Sequence, residues 1–128
     1  MRTRDLRPEP CSPRLARELV RAVCRDWGVV GDACEDAVLV VTELVANVVD
    51  HARTACVVTI SRDGPDLRID VEDYDPCGVP TLRALDPRAL RGRGLAMIAA
   101  VSASWGVTVR RGAKSVWAVL AWPVPQPS

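Results

Sequence analysis

Val38-Leu39-Val40-Val41-Thr42-Glu43-Leu44-Val45-Ala46-Asn47-Val48-Val49-Asp50-His51-Ala52 is an apolar run broken by polar residues at helical spacing. On a helix of about 3.6 residues per turn, Glu43, Asn47, Asp50 and His51 project from one face. Val41, Leu44, Val45, Val48 and Ala52 line the other, as a core-facing stripe would. Asparagine suits a helix interior poorly, because its amide competes with the backbone for hydrogen bonds. Its place between a carboxylate and an imidazole leaves two readings open: a solvated helix face, or a site. In the second, Asn47 offers a neutral oxygen to a hard cation and Glu43 takes a proton from a hydroxyl. Magnesium suits such a site, since it keeps several waters and needs few protein ligands when phosphates supply the rest.

This helix is predicted to start at Gly31-Asp32 and to run to about Arg53. Before it, Ser12 reads as an N-cap, Pro13 as the first helical residue and Gly28 as the stop after Trp27. That first helix turns Leu15, Leu19, Val20 and Val23 inward and sets Arg14, Arg17, Arg21 and Arg25 as a basic ridge outside. Residues 1–11 read as a flexible arm with room for a short edge strand. Residues 55–62, rich in Val, Thr and Ile, form a strand, and Asp63-Gly64-Pro65 a turn. Leu67, Ile69 and Val71 then alternate with Asp66, Arg68, Asp70 and Glu72, the pattern of a half-buried strand. After a loop at 75–91, Gly92-Arg93-Gly94 opens a third helix with Leu95, Ile98, Ala99 and Val101 available for packing. Strands at 106–111 and 115–122 follow, then a frayed tail at 123–128. The order implies an α+β fold, a two-layer sandwich of a mostly antiparallel sheet with helices on one face. The other face, with Arg68, Asp70, Glu72 and Arg110, meets water. Residues 12–122 make one domain.

Composition narrows the function classes. The 128 residues suit a single core. A net charge of +1 gives no electrostatic reason to expect a nucleic acid or an acidic membrane as partner. No apolar run reaches the ~18 residues of a membrane span, and the charged N-terminus has no signal-peptide core, so a cytoplasmic location is expected. Lys114 is the only lysine among many arginines, and phenylalanine is absent. That skew reads as codon bias in a GC-rich genome, which suggests an actinobacterial source. Five cysteines, an odd number without C-x2-C spacing, imply neither a disulfide framework nor a zinc site. Cys24, Cys34 and Cys56 read as small buried hydrophobes. Cys77, in the loop, supports an alternative reading as a thiol-based redox regulator.

Three further features bear on chemistry. Asp73 continues the parity of Leu67, Ile69 and Val71, so alternation turns it toward the core. An ionised carboxylate is costly there unless it is hydrogen-bonded, by backbone, by water or by a ligand amine. Gly92-Arg93-Gly94-Leu95 would let backbone amides at a helix start approach an anion, although most such turns bind nothing. Ser115, just after the Lys114 turn, offers a hydroxyl to a phosphate or simply begins a strand.

Taken in order, these stretches resemble the GHKL ATP-binding family. The first is Glu43 to Ala52 with Asn47. The second is Val71 to Pro80 with Asp73, and the third is Gly92 to Leu95 followed by Ser104-Trp105-Gly106-Val107. The last is Gly112-Ala113-Lys114-Ser115-Val116-Trp117. Within that family the chain is similar to the small single-domain branch of anti-sigma-factor serine/threonine kinases. The resemblance implies ATP and Mg2+ as cofactors, with Asn47 on the metal and Asp73 accepting from the adenine amine. It implies that Gly78, Val79 and Met97 lie beside the nucleotide. Gly92, Arg93, Gly94, Leu95 and Ser115 would stand near the phosphates, and Glu43 would be the general base for a serine hydroxyl on a partner. The implied partners are a sigma factor and an anti-anti-sigma protein of the STAS type, with homodimerisation, and no direct nucleic acid or membrane. The family's D-x-G-x-G box is altered here: Asp75 and Cys77 stand at its glycine positions, and Gly78 comes one residue late. This departure leaves open a catalytically inactive module of the same fold that regulates by protein contact.

Overall fold

The structure, a computed structural model, describes residues 1–75 and 92–121, with the side chains of residues 63 and 92–95 outside that description. Five strands, β1 (Arg2–Leu6), β2 (Cys56–Asp63), β3 (Asp66–Asp73), β4 (Ser104–Arg110) and β5 (Ala113–Leu120), form one sheet in the order β1-β2-β3-β5-β4. Every neighbouring pair is antiparallel. Helices α1 (Ser12–Trp27), α2 (Asp32–Asn47) and α3 (Gly92–Val101) complete the two-layer α+β architecture.

The core lies where the helical and strand periodicities meet. Helix α1 contributes Ala16, Val20, Val23 and Cys24, and α2 contributes Val40, Val41, Leu44 and Val45. From the sheet, Val58, Ile60, Ile69, Val71 and Ala118 are buried against them. Burying each of the valine, leucine and isoleucine side chains contributes about 1.5–3 kcal/mol. Gly28, at φ 75°, closes α1 as an αL C-cap. Ser12 is not the N-cap: Cys11 occupies that position, and the Ser12 hydroxyl donates back to the Arg7 carbonyl.

Two other features have physical reasons. Residues 2–6 form the short edge strand that the N-terminal arm has room for. They pair with β2 from Arg2↔Ile60 to Leu6↔Cys56, and Leu6 is buried in the core, which fixes the register. Helix α2 does not continue as an α-helix to residue 53. It widens into a π turn over Val48–Ala52, closed by a 2.7 Å bond from the Arg53 N–H to the Val48 carbonyl. Arg53 then reverses the chain at φ 56°, in the left-handed region. The wider turn changes the helical phase, so Asp50 and His51 are exposed while Glu43 and Asn47 stay half-buried.

On the sheet face opposite α1 and α2, Trp117 lies across the β4–β5 ladder from Gly106. The Arg68 guanidinium sits 4.7 Å from the Trp117 ring centroid and donates to Asp70 at 3.0 and 3.1 Å. A Cβ at position 106 would fall 2.7 Å from Cζ2 of that ring. Gly106→Ala is therefore expected to displace the indole and destabilise the fold by about 1–3 kcal/mol. Denaturant titration followed by tryptophan fluorescence checks this; an unchanged midpoint would show that the ring moves aside without cost.

Candidate functional site

Five elements converge at one end of the sheet. The π turn hands the chain from α2 to β2 through residues 53–55, and β2 begins at Cys56, directly opposite Asp73 at the end of β3. The Tyr74 N–H donates to Thr54 Oγ1 at 3.1 Å, tying the end of β3 to that connection. Across the other ladder, Asp73 pairs with Lys114 at the start of β5. A tight turn at Ser102 and Ala103 joins α3 to β4. Because β4 runs toward the Lys114 end, the reversed α3 directs its N-terminus, Gly92, to that same end.

Asp73 is 1% exposed and Lys114 4% exposed, so both side chains are buried. The Lys114 ammonium stands 3.2 Å from Oδ1 and 3.1 Å from Oδ2 of Asp73, and donates to the Asp75 carbonyl at 3.0 Å. The Asp75 N–H donates to Asp73 Oδ1 at 2.9 Å. Burial of an unpaired carboxylate would be costly; here a cation and a backbone amide satisfy it. Lys114 is the residue that the sequence reading misses, because lysines are seldom buried. Its signal was parity: Lys114 shares a strand face with Val116, Ala118 and Leu120, all buried.

The same alternation separates Ser115 from Asp73. Ser115 faces the side away from α1 and α2, opposite Glu72, with its hydroxyl 3.4 Å from Asp70 Oδ1. The hydroxyl expected beside the phosphates thus lies across the sheet from the buried carboxylate. Glu43 and Asn47 stand one turn apart on α2, and α2 packs on β3, β5 and α3. Gly92, Arg93, Gly94 and Leu95 form the first turn of α3, whose free N–H groups and dipole favour an anion. Met97 is exposed. Gly78, Val79 and Cys77 lie outside the described residues.

Could Asn47 serve a magnesium ion? Its half-buried amide has no hydrogen-bond partner among the described residues, so its neutral oxygen is uncommitted. One such oxygen fits an ion that takes most of its shell from water and phosphate. Among the described residues, no group of three or more His, Cys, Asp or Glu could hold a metal, so an all-protein cage does not form there.

The thiols are muted. Burial, with the neighbouring Cys34 thiol adding to it, pushes the Cys24 thiol up to about 12. Burial first, and then the Asp73 carboxylate across the ladder, push Cys56 up to about 11. Both stay protonated at neutral pH, and the thiolate is the reactive form. Both native pKa values exceed the unfolded one, so their stabilisation is complete below about pH 8.5 and is lost as pH rises toward 11–12. Alkylation of the folded protein at pH 7.5, read by peptide mass, is expected to spare Cys24 and Cys56 and to modify the exposed Cys11. Rapid labelling of Cys24 or Cys56 would contradict this.

No helix among the described residues is long and apolar enough to cross a membrane. Comparison with known proteins then places the chain. One similar structure is that of the RsbU and RsbW domains of Rv1364c from Mycobacterium tuberculosis, at 18% identity and a TM-score of 0.70. The similarity covers 95% of this chain but only 32% of that one, so the chain spans about a third of that protein's length. A second is the SiaB–SiaC complex from Pseudomonas aeruginosa, at 16% identity and a TM-score of 0.69, covering 94% of this chain and 89% of the other. At these identities the likeness establishes the fold. No curated protein matches the sequence. The sequence pattern of the histidine kinase-like ATPase domain matches residues 6–122, nearly the whole chain, and the chain belongs to that family.

Proposed function

We propose that the chain binds ATP with magnesium and acts as an anti-sigma-type regulator that phosphorylates a serine on an anti-anti-sigma partner. The observation that carries this reading is convergence. The end of α2 with Asn47, the buried Asp73 and the glycine-bearing start of α3 meet at one end of the sheet, in the order shared with the family. Asn47 would hold magnesium, which supplies charge neutralisation for the phosphates. Asp73 would accept from the adenine amine, and the first turn of α3 would receive the phosphates through its amides. Glu43, one turn from Asn47, would take the proton from the serine hydroxyl. The similarity to a chain from the SiaB–SiaC complex supports a protein partner for this fold. The basic ridge of Arg14, Arg17, Arg21 and Arg25 offers a surface for an acidic partner or for self-association, with Arg14, Arg21 and Arg25 exposed.

Calorimetric titration with ATP, with and without magnesium, tests the reading. Asn47→Ala is expected to abolish the magnesium dependence of binding while keeping the fold. Absence of ATP binding by the unaltered protein, or an unaltered magnesium effect in Asn47→Ala, would overturn it. The non-catalytic alternative has one feature in its favour, the Asp75 and Cys77 substitutions in the D-x-G-x-G box. It is the reading left if ATP binds and no phosphate is transferred.

A further inference from the structure

We infer that Lys114 is a second base-reading residue, and that the buried Asp73–Lys114 pair as a unit reads an exocyclic amine beside an unprotonated ring nitrogen. This rests on the proposed ATP site and deepens it. A count of valences supports it. An ionised carboxylate offers about four acceptor sites and an ammonium three N–H donors. Asp73 Oδ1 accepts from the Asp75 N–H and from Lys114, and Oδ2 has only its ion-pair contact with the ammonium. The ammonium donates one N–H to Oδ1 at 3.2 Å and a second to the Asp75 carbonyl at 3.0 Å, and stands 3.1 Å from Oδ2 as an ion pair. Among the described residues these are all the interactions of Asp73 and Lys114. On this count one acceptor site on Oδ2 and one N–H on Nζ remain, on atoms 3.1 Å apart.

An adjacent acceptor and donor complement a heterocycle edge that presents a donor and an acceptor side by side. Adenine has that edge, with its amine next to ring nitrogen N1. Hypoxanthine carries a carbonyl in place of the amine and an N–H in place of the bare ring nitrogen, so both partners are reversed. Because Lys114 already neutralises Asp73, the pair reads an uncharged base without requiring a cationic ligand. Its burial strengthens discrimination, since a mismatched base leaves buried polar groups unpaired. Lysine serves here as a compact ammonium on a flexible stem, whereas an arginine fork would engage the carboxylate bidentately and leave different valences.

The test compares Mg·ATP, Mg·1-deaza-ATP, whose ring N1 is replaced by C–H, and Mg·ITP by calorimetry on the unaltered protein. Lys114 is the only lysine, so a 15N-lysine label gives one Nζ signal that reports its contact directly. The expected result is about tenfold weaker binding of 1-deaza-ATP than of ATP, still weaker binding of ITP, and an Nζ shift produced by ATP and absent with 1-deaza-ATP. In Lys114→Met the preference for ATP over 1-deaza-ATP is expected to disappear. Equal affinities for ATP and 1-deaza-ATP with an unmoved Nζ signal overturn this inference and leave the ATP site standing. Stronger ATP binding by Lys114→Met also overturns it, showing that the ammonium plugs the site. No ATP binding by the unaltered protein removes both the inference and the reading beneath it. Should the variant not fold, the analogue series and the Nζ signal decide.

Discussion

Lys114→Met is expected to lower the unfolding free energy by about 3–5 kcal/mol, because it strands a buried carboxylate without its cation. Asp73 is 1% exposed, and among the described residues its remaining donor is the Asp75 N–H. The variant must therefore bury an uncompensated charge or protonate it. The double variant Asp73→Asn with Lys114→Met removes both charges and is expected to recover much of the loss, as buried pairs replaced together often do. Urea unfolding of the wild type, both single variants and the double variant gives the coupling directly. A loss below about 1 kcal/mol in Lys114→Met would mean that the pair is open to water in solution, since exposed pairs are worth that little.

Glu43→Ala is expected to slow phosphate transfer to a serine of a STAS-type partner about 10²–10⁴-fold, the usual contribution of a general base. ATP affinity should be retained, since Glu43 is assigned to the hydroxyl and Asn47 to the metal. Radiolabel transfer at the wild-type rate would remove Glu43 from that role. ATP binding without transfer by the wild type would select the non-catalytic module.

The sheet and helices were legible because their periods differ and both are written in Val, Leu, Ile and Ala. The alternation of Leu67, Ile69 and Val71 against Arg68, Asp70 and Glu72 is the observed division of faces in β3. The burial of Asp73 followed from the same parity. Its partner did not, because a lysine beside a glycine turn looks like a solvated residue until its parity with Val116 is counted. The same count would have moved Ser115 to the opposite face. The π turn was hidden for another reason. Val48 and Val49 suit an α-helix as well as a wider one, and Arg53 takes a left-handed conformation that sequence assigns first to glycine or asparagine. The spacing of Glu43 and Asn47 held because both precede that turn, whereas Asp50 and His51 lie within it.

A π turn holds one more residue per hydrogen-bonded loop than an α turn, so the chain between Asn47 and Cys56 carries a reserve of length. Losing one residue from Val48–Ala52 would relax the turn to α geometry and relieve Arg53 of its left-handed backbone. Within β2 the same loss would exchange the two faces of the strand and send Val58 and Ile60 to water. The helix end beside Asn47 is thus a shock absorber for insertions and deletions, keeping β2 in phase with Asp73 where the strands themselves tolerate no slip.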